Sequence, residues 1–274
     1  MSEEVIKKRL LCIGAHPDDG ETGAGGLAAL WSEHGGVVRF VAVTDGGAGH
    51  QDLAGAKLVA MRREEAQLGA RVFGGDAIVL DNQDGMLMPT LENRYKVIRA
   101  IREFGPDVIV CHRVNDYHPD HRYSGVLVQD ACFVVMVSNI LPSVPVPRRS
   151  PVVLFMSDRF TKPMPISPDL VFDIDSVIER KVDSMVAHEC QVYEFIPFMN
   201  GYLNEIPKEP QARRDYVRGR ARMGSASEAD RFRDALVEKY GEERGRGVRY
   251  AEVFEVSEYG APLSGEDTAW LLPV

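Results

Sequence analysis

Residues 10–21 read LLCIGAHPDDGE, an unbroken apolar segment followed at once by a histidine and three carboxylates. An apolar segment without alternation predicts a strand that is buried on both faces. Strands of this kind belong to parallel sheets, in which helices cover both faces. The polar residues therefore follow the predicted strand at its carboxyl end.

The same order of elements continues along the chain. Helix-like stretches alternate with apolar segments, and glycine pairs at residues 35–36 and 74–75 end two of the predicted helices. The predicted strands after the first are residues 37–44, 77–80 and 108–111, and the predicted helices are residues 27–33, 57–73 and 91–104. This alternation predicts an α/β fold, a Rossmann-like three-layer sandwich with a mostly parallel sheet. In such folds ligands bind at the carboxyl ends of the strands.

The C-terminal part has a weaker pattern. We interpret apolar residues 133–141 as a buried helix, and we predict further helices at residues 179–187, 213–222 and 226–240 and a strand at residues 248–256. No repeat or linker divides the chain. We therefore predict one domain over residues 1–274, in which the part from about residue 150 completes the sheet and shapes the substrate pocket.

Composition excludes several classes of protein. The 274 residues carry a formal net charge of −9, which argues against a nucleic-acid partner because phosphate backbones require a basic face. No segment approaches the roughly 20 apolar residues of a membrane span. The first residues lack the basic-then-apolar order of a signal peptide, so we expect a cytoplasmic protein. The four scattered cysteines are expected to be reduced core residues.

A second polar cluster follows the fourth predicted strand. Residues 116–121 read DYHPDH, and this loop should open on the same rim as residues 15–21. Imidazoles and carboxylates are the ligands that a catalytic zinc ion takes from a protein while it keeps one position open for water. Of the neighbouring pair Asp18 and Asp19, one is then free for acid–base work. The residues alone do not decide which one.

These motifs resemble those of the PIG-L/LmbE-like de-N-acetylases, whose hallmarks are an AHPDD loop followed by a glutamate and a later HxDH. The resemblance extends to residues 62–74 (RREEAQLGARVFG), 181–191 (KVDSMVAHECQ) and 250–254 (YAEVF). The chain departs from the family pattern at Gln83, where proline is usual before Asp84-Gly85, and at Cys190, where serine is usual. Little matches between residues 142 and 168.

The resemblance implies that His16, Asp19 and His121 hold one zinc ion, or another divalent metal. It also implies that Asp18 is the general base. His118 would lie beside the metal, where it would stabilise an oxyanion or protonate the leaving amine.

Three further residues receive roles. By resemblance, Arg62 would contact hydroxyl or phosphate oxygens of the substrate, and Asp84 would accept hydrogen bonds from sugar hydroxyls. The alternative for Arg62 is a solvated helix charge paired with Glu64 or Glu65. Asp120 is expected to fix the tautomer of a metal-bound histidine, since such histidines commonly donate their other N–H to a carboxylate. Its alternative role is that of a turn residue.

The implied activity is the hydrolysis of an N-acetyl or other N-acyl amide on an amino-sugar derivative, a small-molecule substrate. The resemblance also implies a homo-oligomer, a trimer or a hexamer. Two alternatives are a metal-dependent hydrolase of a non-sugar amide and a non-catalytic binding protein. A third is a dinucleotide-binding oxidoreductase, because residues 23–28 satisfy GxGxxA and Asp45 follows the second strand. The oxidoreductase alternative is disfavoured because the HPDD loop separates those glycines from the first strand, whereas a dinucleotide site places its first glycine directly at the end of the strand.

The remaining histidines have less specific interpretations. His34 ends a helix and is expected to be structural. His50 either lines the pocket or is a mobile solvent residue. His112 ends the fourth strand and could brace the metal site, and His188 is expected to pack near the site.

Overall fold

The computed structural model describes residues 7–263, and its strands form one seven-stranded sheet. The strands are β1 (Arg9–Gly14), β2 (Val37–Thr44), β3 (Asp76–Asn82), β4 (Val108–Cys111), β5 (Val152–Met156), β6 (Leu170–Asp173) and β7 (Ala251–Val256). Their order in the sheet is β3-β2-β1-β4-β5-β7-β6. Strands β1 to β5 are mutually parallel, and β7 is antiparallel to both of its neighbours.

Helices cover both faces of this sheet. Within residues 7–263 they are α1 (Asp19–Glu33), α2 (Gly55–Arg71), α3 (Leu91–Phe104), α4 (Pro119–Val134), α5 (Ile178–Val186), α6 (Ile196–Met199), α7 (Pro210–Arg231), α8 (Arg233–Tyr240) and α9 (Glu242–Gly247). A π-helical turn, Cys190–Phe195, and a 3₁₀ turn, Leu203–Glu205, lie between α5 and α7. The mostly parallel α/β sandwich predicted from the sequence is confirmed.

The core forms two layers because successive side chains of a strand point to opposite faces. Leu10 and Cys12 of β1 join one buried cluster with Leu27 of α1. Leu11 and Ile13 of the same strand join a second cluster on the other face, which includes residues of α3 and α4. The continuous apolar segment of β1 is therefore required by burial on both sides of the sheet.

The prediction of a helix over residues 133–141 is wrong beyond Val134, where α4 ends. The buried guanidinium of Arg102 is the physical reason. It donates hydrogen bonds to six backbone carbonyls, those of Val134, Val135, Val137, Ile140, Leu141 and Val144. These carbonyls turn towards the cation, and the segment beyond Val134 forms irregular turns around it.

The C-terminal part adds strands that the sequence pattern did not predict. Strands β5 and β6 are short buried segments, and β5 lies within the region where little matched the family pattern. The predicted strand over residues 248–256 is present as β7. Residues 213–222 and 226–240 are helical apart from residue 232, but α7 continues without a break to Arg231, so the helices divide at residue 232 and not at residues 223–225. Strand β7 lies between β5 and β6 and brings Glu252 into the core.

Helix α1 contains the glycines of the alternative dinucleotide motif, and the structure gives them a packing role. A side chain at Gly23 would collide with Met156, and one at Gly26 would collide with Ile174. The helix is kinked at Ala24, which has non-helical dihedral angles. The carboxylate of Glu252 accepts hydrogen bonds from the N–H groups of Gly26 and Leu27, both at 2.8 Å. These residues lie inside a helix and not at the strand–helix turn that a dinucleotide site requires.

The four cysteines are unpaired and buried, as predicted. Among the described residues, none of the helices has both the length and the apolar character needed to cross a bilayer.

Candidate metal-binding active site

The two polar loops meet because β1 and β4 are parallel neighbours, with Ile13 paired to Cys111. The chain proceeds from β1 towards β2 and β3 on one side, and β4 and β5 lie on the other side. The carboxyl edge between β1 and β4 is therefore the topological switch point, where α/β folds place their ligands. All eight site residues predicted from the sequence lie around this point, in the loops after β1, β3 and β4 or on α1, α2 and α4.

Asp19 lies between two imidazoles. Its Oδ2 is 3.4 Å from Nδ1 of His16, and its Oδ1 is 3.5 Å from Nε2 of His121. Burial by itself raises the pKa of Asp19, but the imidazoles of His121 and His112 outweigh it and hold the pKa well below its usual range. Asp19 is therefore a carboxylate anion over the physiological pH range.

The second nitrogen of each of these imidazoles contacts another carboxylate. Nε2 of His16 lies 3.2 Å from Oδ1 of Asp84 and 3.4 Å from Oδ2 of Asp120. Nδ1 of His121 lies 3.1 Å from Oδ1 of Asp116. Metal-binding histidines commonly have this arrangement, in which a carboxylate fixes the tautomer and leaves the other nitrogen for the metal.

The donor set fits a divalent metal ion. One group of donor atoms within 4.8 Å of one another comes from His16, His118 and His121, and a second comes from Asp19, His112 and His121. Imidazole nitrogen and carboxylate oxygen are the donors of catalytic zinc sites. The predicted ligands belong to these two groups, His16 to the first, Asp19 to the second and His121 to both. Nε2 of His16 contacts carboxylates, so Nδ1 faces Asp19. Nδ1 of His121 contacts a carboxylate, so Nε2 faces Asp19.

Asp120 is fully buried at the start of α4. Besides its contact with His16, it accepts hydrogen bonds from the N–H groups of Gly85 at 2.7 Å and Leu87 at 3.2 Å. It thereby connects the loop after β3 to the cluster of imidazoles and carboxylates. Asp84 contacts His16 with one oxygen and accepts a hydrogen bond from the N–H of Ala48 with the other, at 3.1 Å.

Asp18 has a strained backbone, with φ at 138°. It occupies the N-cap position of α1, yet its carboxylate does not cap the helix. Oδ1 instead accepts a hydrogen bond from Nη2 of Arg62 at 2.9 Å. Strain of this kind in a residue other than glycine concentrates at functional sites. Burial raises the pKa of Asp18 above its usual value, against the opposing effect of Arg62.

Arg62 is almost completely buried on α2 and also donates a hydrogen bond to the carbonyl of Pro17. The alternative of a solvated charge paired with Glu64 or Glu65 is therefore wrong. Glu65 instead accepts hydrogen bonds from the backbone N–H and the thiol of Cys190. Because Arg62 donates a hydrogen bond to Asp18, it orients that carboxylate without needing to contact a substrate.

A hydrogen bond from the neighbouring backbone orients the imidazole of His118. Its Nδ1 accepts a hydrogen bond from the N–H of Asp120 at 3.2 Å, so the neutral ring carries its proton on Nε2. Burial lowers the pKa of His118, and the imidazoles of His16 and His121 lower it further. The ring centroid of His118 is 4.7 Å from that of His16. A neutral N–H donor therefore lies beside the cluster.

Asp116 and Glu21 each contact a buried histidine, although the sequence pattern assigned neither residue a role in the site. The expectation that each metal-binding histidine contacts a carboxylate would have indicated Asp116, which lies in the same loop. Glu21 lies 3.3 Å from Nε2 of His188, and both side chains are buried beneath the metal-binding loop. His112 has its Nε2 3.1 Å from Oδ2 of Asp19, which agrees with its suggested bracing role.

The loop after β2 and the π-helical turn form another wall of the site. His50 Nε2 lies 2.9 Å from Oε2 of Glu194, and the side-chain amide of Gln191 donates to the carbonyl of Gly49 at 2.9 Å. A side chain at Gly49 would place its Cβ 3.3 Å from Nη1 of Arg62. His50 is therefore an ordered contact of this wall and not a mobile solvent residue.

The chain is similar to known proteins in sequence and in fold. The family model PIG-L, GlcNAc-PI de-N-acetylase, matches residues 11–132, which contain both polar loops and Arg62. A diacetylchitobiose deacetylase from Thermococcus kodakarensis is 29% identical over 197 residues, which cover 68% of this chain and 71% of that protein. A 4-oxalmesaconate hydratase from Pseudomonas putida is 26% identical over 183 residues, which cover 64% of this chain and 70% of that protein.

Solved structures show the same fold. The N,N'-diacetylchitobiose deacetylase from Pyrococcus horikoshii aligns with a TM-score of 0.69 at 23% identity, over 92% of this chain and 84% of that chain. The family model over residues 11–132 and the Thermococcus relative confirm the resemblance to the PIG-L de-N-acetylase family predicted from the sequence.

Proposed function

We propose that this chain is a zinc-dependent deacetylase that hydrolyses the N-acetyl group of an amino-sugar derivative. The observation that supports this most directly is the position of Asp18, a carboxylate held by Arg62 beside a cluster of imidazoles and a second carboxylate. The Thermococcus relative, a deacetylase of an N-acetylated amino sugar, supports the substrate class. The family model carries the same activity in its name.

His16, Asp19 and His121 would hold the metal, since each offers a donor atom facing the centre of the cluster. When bound, a zinc ion polarises the acyl carbonyl and lowers the pKa of water towards about 7. Asp120, Asp84 and Asp116 keep the imidazoles in the required orientation.

Asp18 is the general base. It takes a proton from the attacking water while the water oxygen forms a bond to the acyl carbon. The raised pKa of Asp18 suits this role, because a base whose pKa lies nearer the working pH accepts a proton more readily. The hydrogen bond from Arg62 fixes the direction in which the carboxylate points.

His118 contributes a hydrogen-bond donor. Its Nε2–H would contact the oxyanion of the tetrahedral intermediate, an interaction that contributes about 3 kcal/mol in comparable sites. The C–N bond then breaks, the amine nitrogen takes the proton from Asp18, and the products are acetate and a free amine. Because the pKa of His118 is lowered, we assign the neutral donor role to His118 and the proton transfer to Asp18.

Hydration is the second candidate, since a hydratase is among the similar proteins. A hydratase adds water to a carbon–carbon double bond and releases no acetate, so the two activities differ in product. Both would use a base such as Asp18 to activate water. Hydrolysis of a non-sugar amide remains a further alternative, and it would release a carboxylate from an acyl-amino acid in place of an acetylated sugar.

The test measures metal content and acetate release on the same preparations. We expect near-stoichiometric zinc in the wild type, loss of zinc in His121→Ala, and retained zinc with loss of acetate release in Asp18→Asn. His34→Ala and Asp234→Asn are matched controls, because both side chains lie on the surface away from the site. Substrates are N-acetylglucosamine, diacetylchitobiose and an N-acetyl amino acid. Wild-type protein without metal under metal-replete conditions would refute the proposal.

The proposal treats residues 1–274 as one catalytic domain, and the extension of the sheet by β5, β7 and β6 supports this. We further propose that the chain forms a homo-oligomer, which the mass of the native protein in solution would test.

A further inference from the structure

We propose that a basic cavity at the amino edge of the sheet, opposite the metal-binding loops, binds a small phosphorylated molecule. The cavity has a volume of about 590 Å³, and the residues that line it include Lys7, Arg9, Phe104, Asp107, Arg148 and Arg149. Arg9 begins β1, whose other end leads to the metal-binding loop. This basic cavity is therefore separated from the active site by the length of the strand.

The charged side chains that line the basic cavity favour an anionic ligand. Among the described residues, four cations and one carboxylate line the basic cavity, although the whole chain carries a net charge of −9. The single carboxylate, Asp107, is already engaged, because Oδ1 pairs with Nη2 of Arg149 at 2.6 Å and Oδ2 accepts from the N–H of Arg9 at 2.9 Å. No carboxylate within residues 7–263 pairs with the side chains of Lys7, Arg9 or Arg148. The cavity therefore retains a surplus of positive charge.

The guanidinium of Arg9 is held in place before any ligand binds. Its Cζ lies 4.4 Å from the ring centroid of Phe104, and Arg39 contacts the same ring at 4.9 Å. Nε of Arg9 is buried and has no hydrogen-bond partner among the described residues. A stacked guanidinium presents its donors in a fixed plane, which suits the bidentate recognition of phosphate oxygens.

The shape of the basic cavity favours a small ligand. Its volume lies within the range of roughly 300–1,000 Å³ that is usual for small-molecule sites. An extended polyanion or an anionic membrane would also meet the remaining surface of an acidic protein, which repels it. Three cations without a carboxylate partner among residues 7–263 match a ligand with at least two negative charges, such as a diphosphate.

Inorganic pyrophosphate is the probe. Isothermal titration of the full-length protein should give saturable binding of one pyrophosphate per chain. The double variant Lys7→Ala/Arg148→Ala should bind at least tenfold more weakly, because it removes two exposed cations that make no ion pair in the described structure. The control Lys57→Ala/Arg71→Ala removes the same charge from the surface of α2 and should bind as the wild type does.

Pyrophosphate can also bind to a metal ion, so His121→Ala is titrated in parallel. We expect it to bind pyrophosphate as tightly as the wild type, and this result is independent of the proposed deacetylase activity. Loss of binding in His121→Ala, or equal weakening in both double variants, would overturn the proposal. So would binding to vesicles containing phosphatidylserine that depends on Lys7 and Arg148 without any binding of pyrophosphate.

Discussion

The guanidinium of Arg62 lies 2.9 Å from the carboxylate of Asp18, a residue of the loop that follows β1. This contact joins α2 to a residue whose backbone is strained. Arg62 therefore holds the proposed general base in one direction and stabilises its charge.

Replacement of Arg62 by methionine should impair catalysis without loss of metal. The base would lose its fixed direction, and a small misplacement of a catalytic group reduces kcat by about a hundredfold. Steady-state acetate release and zinc content of Arg62→Met are the measurements, with Arg63→Met, an exposed neighbour on the same helix, as the control. Unchanged kcat in Arg62→Met would contradict the assigned role.

Replacement of Asp120 by asparagine should weaken metal binding. Asp120 contacts Nε2 of His16 and two backbone N–H groups, and the loss of such a carboxylate lowers metal affinity by about 10- to 100-fold. Competition with a zinc-binding dye measures the affinity. The control is Asp130→Asn, near the opposite end of α4, where the carboxylate pairs with Arg94 at the surface. Equal affinities of Asp120→Asn and the wild type would argue against the role of Asp120.

The buried pair of Glu21 and His188 should make stability depend on pH. Burial lowers the pKa of His188, but the carboxylates of Glu21 and Asp18 outweigh it and hold the pKa above its usual value of about 6.5. The folded state then binds more protons than the unfolded state, so the stabilisation is complete below about pH 6.5 and is lost as the pH rises through the higher folded pKa.

Urea unfolding of metal-free protein across this pH range tests the prediction. The free energy of unfolding of the wild type should fall, relative to that of His188→Gln, as the pH rises above about 6.5. Comparison with His188→Gln cancels the contributions of the other histidines. A difference that stays constant with pH would show that the pair does not titrate in this way.

The charges of Lys181 and Glu252 should stabilise each other strongly in the folded state. Nζ of Lys181 lies 2.7 Å from Oε1 of Glu252, and both side chains are buried beside the kink of α1. Removal of one partner from a buried pair costs about 3–5 kcal/mol, because the other charge remains without compensation. Lys181→Met should lower the free energy of unfolding by this amount.

The double variant Lys181→Met/Glu252→Gln should be less destabilised than the sum of the two single variants. The exposed pair of Arg246 and Glu242 serves as a control, since loss of such a pair changes stability by about 1 kcal/mol or less. Additive effects in the buried pair would show that the two charges do not stabilise each other.

The sequence by itself determined the first four strands and the helices between them, since continuous apolar segments and glycine stops are local signals. It also placed the two polar loops at one edge, because parallel strands bring their carboxyl ends together. The two loops that carry His16, Asp18, Asp19, His118, Asp120 and His121 could be selected in this way, and the roles of the individual residues came from the resemblance to the family. The irregular segment after Val134 could not be predicted, because it depends on the distant Arg102.

Only the tertiary structure decided which groups touch. Asp18 points to Arg62, 44 residues away, and Glu21 contacts His188 from the other half of the chain. The insertion of β7 between β5 and β6 places Glu252 beneath α1, 226 residues from Gly26. Contacts of this kind depend on how separate elements pack, and no local pattern of apolar and polar residues encodes them. The periodicity of the sequence therefore predicts the strands and the edge of the sheet where the site lies. Packing determines which partner each charged side chain contacts.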